Sequence, residues 1–394
     1  MPNCLIVNAD DFGYGIERND GIINCFKSGA ISSTTMLVNG VAAEDAATKA
    51  KLAGLPTGLH LNISEGKPVC ASAKTLTDSD GNLYELFTIR ERVAEGRINL
   101  NEVRDELQKQ IDRFEELMGY KPQHVDGHQH VHVLPGICDI FAHVLSQNGI
   151  RSTRCPYEDL NPDTNYAWFE GDTKKMATFM DEVVQQSQQA KPIFRRNGLW
   201  LPSEFCGLQT MGLDMTKESL KTTLKQTFRN DNKDDIVSCE LMVHPGYRTK
   251  EEGGCGTGPD EFSQSDQREL EMDILCDSDM IDFYREMEID IKNIRSVMCK
   301  IKKRAGPIKT QCFTVNDDGS RTKSTTNDEV TINHAEGPIH IEIAIIDIEG
   351  PIHNEADIRY VKRPTHDYDT IKILKEPSED NYIVSDVDGQ LKTP

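Results

Sequence analysis

The stretch His124-Val125-Asp126-Gly127-His128-Gln129-His130-Val131-His132-Val133 places four imidazoles and one carboxylate at alternate positions. Read as a strand, residues 124, 126, 128, 130 and 132 share one face, because successive side chains point to opposite sides. Val125, Val131 and Val133 take the other face and suit a packed core. Histidine and aspartate cannot be buried without partners, since each unpaired polar group costs kilocalories. The face therefore meets a metal, a substrate or both; the plainer reading is an exposed edge strand that happens to be rich in histidine.

Working outward, the first ~300 residues alternate strand-like and helix-like segments. A strand over Leu5 to Val7 precedes a helix from about Asn19 to Ser28. A strand over Ile31 to Val38 precedes an Ala-rich helix over Val41 to Leu52, and Thr57 to Asn62 reads as a third strand. The clearest helix begins at Asn101 as N-cap, carries Val103, Leu107, Ile111, Phe114 and Leu117 on one stripe, and ends at Gly119. Further helices are predicted over Pro135 to Gln147, Lys174 to Gln189, Thr216 to Phe228 and Asp279 to Lys302, with strands over Ile150 to Cys155 and Ile236 to Val243. Such alternation favours a parallel α/β sheet covered on both faces, open or closed into a barrel. Residues 300–394 differ. Lys300 to Asn327 reads as a polar linker, Ile339 to Ile348 alternates like a strand, and Glu336-Gly337-Pro338-Ile339-His340 recurs as Glu349-Gly350-Pro351-Ile352-His353. The expected division is 1–299 as the principal domain and 300–394 as linker and accessory extension.

A net charge of −21 argues against nucleic acid and anionic membrane as partners. None of the eleven cysteines forms a close C-x-x-C pair, and several sit in apolar runs, which suits a reducing compartment. No apolar stretch approaches the ~20 residues that span a bilayer, and the N-terminus shows no cleavable leader. The expected location is cytoplasmic. Asn62-Ile63-Ser64, a glycosylation sequon on paper, would go unused there.

Chemistry collects at strand ends, where parallel α/β folds bind ligands. Val7 runs into Asn8-Ala9-Asp10-Asp11, Leu59 into His60, Ile150 into Arg151 and Arg154, and Val243 into His244. One Asp and two His suffice for a facial metal site with open positions. A neighbouring carboxylate can serve as general base and a further His as general acid. Asp10, Asp11, His60, His128 and His244 fill those roles between them, although Asp10-Asp11 alone could be a helix cap. His130 and His132 read as rim or supporting groups, His124 as structural, and Asp126 as a hydrogen-bond partner of a ligating imidazole. Trp168 and Trp200 are candidates for stacking on a sugar ring. Gly253-Gly254-Cys255-Gly256-Thr257-Gly258 reads as a flexible surface loop, because no Lys-Ser/Thr follows as a phosphate loop requires.

Asn8-Ala9-Asp10-Asp11-Phe12-Gly13, Gly58-Leu59-His60-Leu61-Asn62, the His124–His132 run and His244-Pro245-Gly246-Tyr247 together resemble the YdjC/ChbG-type carbohydrate deacetylases. Order and spacing match over roughly residues 3–296. The resemblance implies an irregular or partial (β/α) barrel of the polysaccharide-deacetylase type, here with a C-terminal extension. It implies removal of an acetyl group from an N-acetylated saccharide with a divalent ion, usually magnesium, and dimers occur in the family. Carried over, Asp10 is the proton acceptor, Asp11, His60 and His128 are the metal ligands, Arg154 orients Asp10, and His244 protonates the leaving amine. Two imidazoles and a carboxylate are softer than magnesium prefers, so Zn2+ stands beside Mg2+. The chain departs from the family between Tyr157 and Pro202 and over its last ~90 residues. Rival readings are a metal-dependent phosphoesterase using Arg151 and Arg154, and a non-catalytic scaffold acting through strand addition at the C-terminal extension.

Overall fold

Strand β1 (Asn3–Phe12) is buried almost throughout, as a central strand covered on both faces must be. The protein is described here by a computed structural model covering residues 3–229, 237–250 and 252–305, with six short strands beyond. After β1 the chain runs through α1 (Ile16–Ser28), β2 (Ser33–Met36), α2 (Ala43–Ala53), β3 (Thr57–Leu61), α3 (Leu86–Ala94), α4 (Leu100–Met118) and β4 (His124–Gly127). Then follow α5 (Ile137–Gln147), β5 (Ser152–Thr153), α6 (Thr173–Arg196), β6 (Glu204–Cys206), α7 (Lys217–Thr227) and β7 (Ser238–Val243). The unit closes with α8 (Glu261–Gln264), α9 (Gln267–Cys276), α10 (Ser278–Glu286), β8 (Ile289–Ile291) and α11 (Ile294–Ala305).

The strands form one curled parallel sheet in the order β5-β4-β3-β2-β1-β7-β6, and β8 also pairs with β1. β8 takes residues 3–5 of β1, and β2 takes residues 8–12. Since β7 covers the opposite edge, β2 and β8 divide one edge between them. The outer strands meet at a single parallel bridge, Ser152 to Trp200, just ahead of β6. The result is a partial barrel of the kind the motifs imply.

Parity along the strands divides core from site. Leu5, Val7 and Ala9 on β1, Leu59 and Leu61 on β3, Val125 on β4, and Cys239, Leu241 and Val243 on β7 join the main hydrophobic core with the helices. The alternate residues Asn8, Asp10, Ser33, Thr35, His60, His124, Asp126 and Glu240 meet one another on the concave side through hydrogen bonds and ion pairs. Arg154, just past β5, bonds to Asp10, Asp126 and Glu240 there. A barrel interior lined this way needs every polar atom matched.

Several local expectations are corrected. The His-rich run is a strand only through Gly127; His128–Val133 winds into a 3-10 turn, with Gln129 and His130 at φ 51° and 59°. The face shared by positions 124 and 126 therefore does not extend to 132. His132 turns into the apolar core, where its ring stacks on Phe194 and packs against Phe141, so it does not line the rim and can serve the site only as a support from behind. The cap of α4 is Asn99, whose side chain accepts from the Asn101 amide, rather than Asn101 itself. The helix expected over Asp279 to Lys302 breaks at Glu288, φ 53°, so that β8 can pair with β1. Helix α6 extends past Gln189 through Pro192, with Ala190 and Phe194 buried.

The chain divides into two compact units, Met1–Cys299 and Lys300–Pro394. Within the second, β9 (Thr310–Val315) pairs antiparallel with β10 (Arg321–Thr326) and β11 (Glu342–Ile346). A second small sheet joins β12 (Lys372–Lys375), β13 (Tyr382–Ser385) and β14 (Leu391–Lys392). Strands thus occur inside the stretch read as a linker, while the Glu-Gly-Pro-Ile-His repeat lies outside the described residues. Among the described residues no helix is long and apolar enough to cross a membrane.

The core position of His132 has a consequence for acid stability. Burial holds its ring down to about 3, against an unfolded value of about 6.5. Below about pH 6.5 the unfolded chain binds a proton that the folded chain refuses, so stability falls with falling pH until about pH 3. Between pH 6.5 and 5 this ring alone removes about 2 kcal/mol. Urea unfolding of the His132→Gln variant is expected to show a flatter loss over that window than the unmodified protein; equal slopes would refute the assignment.

Candidate functional site

Consecutive strand residues normally face opposite ways, yet Asp10 and Asp11 both line one cleft of about 700 Å³. The register of β1 on β2 shifts between Ala9 and Phe12, and Asp11 sits at φ 62°. This bulge lets both carboxylates reach the mouth of the barrel. The turn is held by Asn19, whose side-chain oxygen accepts from the Gly13 amide at 2.7 Å, and by the Leu37 amide donating to the Phe12 carbonyl.

Asp10 points inward. Both of its oxygens are gripped by Arg154, Nη1 to Oδ2 at 2.6 Å and Nη2 to Oδ1 at 2.7 Å, and Asn8 donates to Oδ1 at 2.8 Å. Arg154 is fully buried; it also donates from Nε to Glu240 at 2.8 Å and pairs ionically with Asp126, Nη2 to Oδ2 at 2.9 Å. Asp126 passes the contact on to His60, Oδ1 to Nδ1 at 2.6 Å, and accepts from Thr35. Burial alone would raise the Asp126 carboxyl, but Arg154 and His60 hold it well below the usual range.

Three side chains converge beside this group. Asp11 Oδ1 lies 3.1 Å from His128 Nδ1 and 3.5 Å from His60 Nε2, and the rings stand edge-on with centroids 5.3 Å apart. One donor atom from each lies within 4.8 Å of the other two. The second nitrogen of each ring is fixed by a carboxylate: Asp126 holds His60, and Glu65 holds His128 Nε2 at 3.0 Å. Imidazoles that ligate metals are oriented in this way. Asn62 builds the turn that presents Glu65, its Oδ1 accepting from the Ser64 and Glu65 amides and its Nδ2 donating to the Glu65 carbonyl. The side chain of the sequon is therefore spent inside the protein.

The charges at this spot are unbalanced. Burial alone would raise Asp11, but the neighbouring imidazoles of His128 and His60 hold it well below the carboxylate range. Burial alone would lower His60, yet Asp126, Asp10 and Asp11 drive it up to about 9. His128 is likewise driven well above its ordinary value, against burial, by Asp11 and Glu65. The pocket calls for positive charge, and the buried Asp11 Oδ1 has no hydrogen-bond partner of good geometry. A cation about 2.1 Å from each donor would space them about 3.0–3.5 Å apart. The separations of 3.1 and 3.5 Å from Asp11 Oδ1 to the two ring nitrogens meet that requirement, so these three residues fit a divalent ion.

His244, at the end of β7, lines the same cleft. Its amide donates to Glu271 at 2.6 Å, its carbonyl accepts from Arg268 at 3.0 Å, and its ring meets Phe262 edge-on. Burial holds the ring below the usual imidazole range. The structure thus gathers Asp10, Asp11, His60, His128 and His244 around one cleft and anchors Arg154 behind Asp10. His124 bonds to Ser152 within the barrel, and His130 lines the cleft with its ring stacked on Phe179. Trp168 also lines it, with Phe169, Phe179 and Phe262; Trp200 does not, being part of the bridge to β5. The polar stretch after Tyr157 therefore supplies much of the wall.

Glu65 and Glu240 went unnoticed in the sequence. Glu240 left a signal, a lone carboxylate inside the apolar run Cys239-Glu240-Leu241-Met242-Val243, which demands a buried cation. Glu65 left none. The glycine-rich segment is not a free surface loop. Cys255 is buried, its carbonyl accepts from Lys67, and Gly254 bonds to Tyr14 and Val41. Gly66, at φ 71°, approaches Cys255 so closely that any side chain there would collide with its carbonyl oxygen.

Comparison with known proteins identifies relatives of this chain. The zebrafish (Danio rerio) protein named carbohydrate deacetylase is 40% identical over 305 residues, 73% of this chain and 96% of that one. The mouse (Mus musculus) protein of the same name is 42% identical over 275 residues, 69% and 87% of the two chains. The chitooligosaccharide deacetylase of Yersinia pestis is 41% identical over 143 residues, 36% of this chain and 55% of that one. In fold, the crystal structure of a candidate cellobiose-phosphate cleavage protein from Enterococcus faecalis superposes with a TM-score of 0.55 at 22% identity, covering 75% of this chain and 99% of that one. The sequence model for YdjC-like protein matches residues 4–286, and the chain belongs to that family.

Proposed function

We propose that the protein hydrolyses the acetamide of an N-acetylated carbohydrate, releasing acetate and a free amino sugar. The observation that carries this reading is the pairing of two adjacent carboxylates with different attachments. Asp11 faces two imidazoles, while Asp10 is locked by a buried guanidinium beside them. The names of the relatives, carbohydrate deacetylase and chitooligosaccharide deacetylase, support the same substrate class.

Asp11, His60 and His128 would hold a divalent ion. Bound there, it would polarise the amide carbonyl and make water more acidic. Asp10, fixed by Arg154, accepts the proton of the attacking water. As the C–N bond breaks, His244, having first taken up a proton from solvent against the effect of burial, gives it to the departing nitrogen. The aromatic wall of Trp168, Phe179 and Phe262 offers apolar faces to a sugar ring. The donor set suits zinc and its neighbours, and the family resemblance favours magnesium. Residues 1–299 carry the chemistry, and 300–394 are an accessory extension. A phosphoesterase would need Arg151 or Arg154 as free cations at the cleft. Arg154 is committed to three carboxylates, and Arg151 is exposed and absent from the lining.

Replacing Asp10 with Asn should lower acetate release from N-acetylated chito-oligosaccharides by at least about 100-fold while metal content stays near that of the unmodified protein; undiminished turnover would remove Asp10 as the base. Treatment with a chelator should abolish release, and restoring magnesium, zinc, manganese or cobalt one at a time identifies the ion; full activity after exhaustive chelation would overturn the reading. Glu65→Gln should weaken metal retention about 10- to 100-fold through loosened orientation of His128, measured by competition with a chromophoric chelator, and unaltered affinity would separate Glu65 from the metal.

A further inference from the structure

Two cysteines far apart in sequence meet outside the cleft. Cys25 Sγ, on the buried side of α1, lies 3.9 Å from Cys276 Sγ, the last residue of α9. Cys25 is fully buried, whereas Cys276 is partly exposed. The Ser28 hydroxyl lies 3.2 Å from the Cys276 sulfur. A disulfide needs about 2.05 Å between sulfurs, so the remaining gap is about 1.9 Å, within reach of side-chain rotation at a helix end. Cys206 and Cys239 are closer still, 3.5 Å, yet both are sealed in the apolar core between sheet and helices, away from any oxidant in solution.

We propose that Cys25 and Cys276 are a site of reversible oxidation, forming a disulfide between α1 and α9 on exposure to a low-molecular-weight disulfide such as glutathione disulfide. The Cys276 thiolate attacks one sulfur of glutathione disulfide, forming a mixed disulfide and expelling one glutathione thiolate. Cys25 then passes its proton to the released glutathione thiolate and attacks the Cys276 sulfur, expelling the second thiolate, which takes its proton from solvent. Two protein thiols are oxidised and one glutathione disulfide is reduced to two glutathione molecules. The order of events follows from exposure, since of the two sulfurs only Cys276 can meet the reagent, and it lies beside Cys25. Its contacts with Cys25 and then Ser28 bring the Cys276 thiol down to about 6, against burial, which favours Cys276 as the attacking sulfur.

The two helices grip the turn that carries His244. Gly21 of α1 packs so tightly on Gly246 that a side chain there would strike its backbone. Glu271 and Arg268 of α9 bind the amide and carbonyl of His244 itself. A covalent tie between α1 and α9 therefore fastens both sides of this grip, and by closing a long loop it stabilises the folded chain.

The test is peptide mapping of the native full-length protein after incubation with glutathione disulfide, with free thiols blocked before digestion. A peptide linking Cys25 to Cys276, removed by dithiothreitol, is expected together with a rise of several degrees in the thermal midpoint. Cys276→Ser should abolish both the link and the rise, and in Cys25→Ala the mixed disulfide at Cys276 should persist instead of resolving. Failure of the 25–276 peptide to form in folded protein, its appearance only after denaturant is added, or preferential linkage of Cys206 to Cys239 would each overturn the proposal.

Discussion

A single guanidinium organises the mouth of the barrel. Arg154, with no solvent contact, answers Asp10, Asp126 and Glu240 at once. One positive charge set against three carboxylates in a medium of low polarity leaves net negative charge, which water cannot screen there. The deficit is passed along Asp126 to His60 and, with Asp11 and Glu65, to His128. The two imidazoles respond by binding protons far above their ordinary range. A divalent ion would supply the missing charge and displace those protons, so affinity for it is a property of the whole barrel interior rather than of three ligands. Removing the Arg154 guanidinium would strand three buried carboxylates, a cost of about 3–5 kcal/mol or more. The same residue thus maintains both the fold and the orientation of Asp10.

The division of labour between Asp10 and Asp11 rests on one residue of backbone irregularity. In a regular strand Asp11 would join Leu5, Val7 and Ala9 among the helices, where an ionised carboxylate has no place. The left-handed conformation at Asp11 turns it back toward His60 and His128. Chemically identical side chains thereby acquire different surroundings, one saturated by a guanidinium and one facing two imidazoles. Separate environments of this kind are how neighbouring carboxyls take up different roles.

Much of this was legible in the sequence because it follows parity. The apolar runs ending in Asp10-Asp11, His60, Asp126 and His244 located the strand ends, and family likeness supplied Arg154. What escaped followed no period. The 3-10 turn after Gly127 cannot be distinguished from continued alternation, since His130 and His132 keep the polar-apolar pattern while the backbone winds away. Glu65 lies in an irregular turn shaped by Asn62, and only three-dimensional closure brings it to His128. The break at Glu288 arises because β1 has a free edge at residues 3–5 for Ile289–Ile291, a tertiary demand that helical periodicity does not record.

The strained turn at Gln129 and His130 is the counterpart of the bulge at Asp11, and the two flank the convergent trio. Positive φ at non-glycine residues costs energy and persists only where the surroundings enforce it. For the Asp11 bulge the enforcement comes from Asn19 and from the β2 edge. For the second turn it comes from His132, whose ring, packed between Phe141 and Phe194, lies 3.2 Å from the Arg154 carbonyl through Nε2. The histidine that left the site for the core is thus the anchor that fixes the histidine in it. His128 can be aimed at Asp11 because His132, four residues on, is buried in the apolar layer and bonded to the backbone of the arginine that holds Asp10. The two halves of the His-rich stretch serve the same site, one by touching it and the other by holding the chain still.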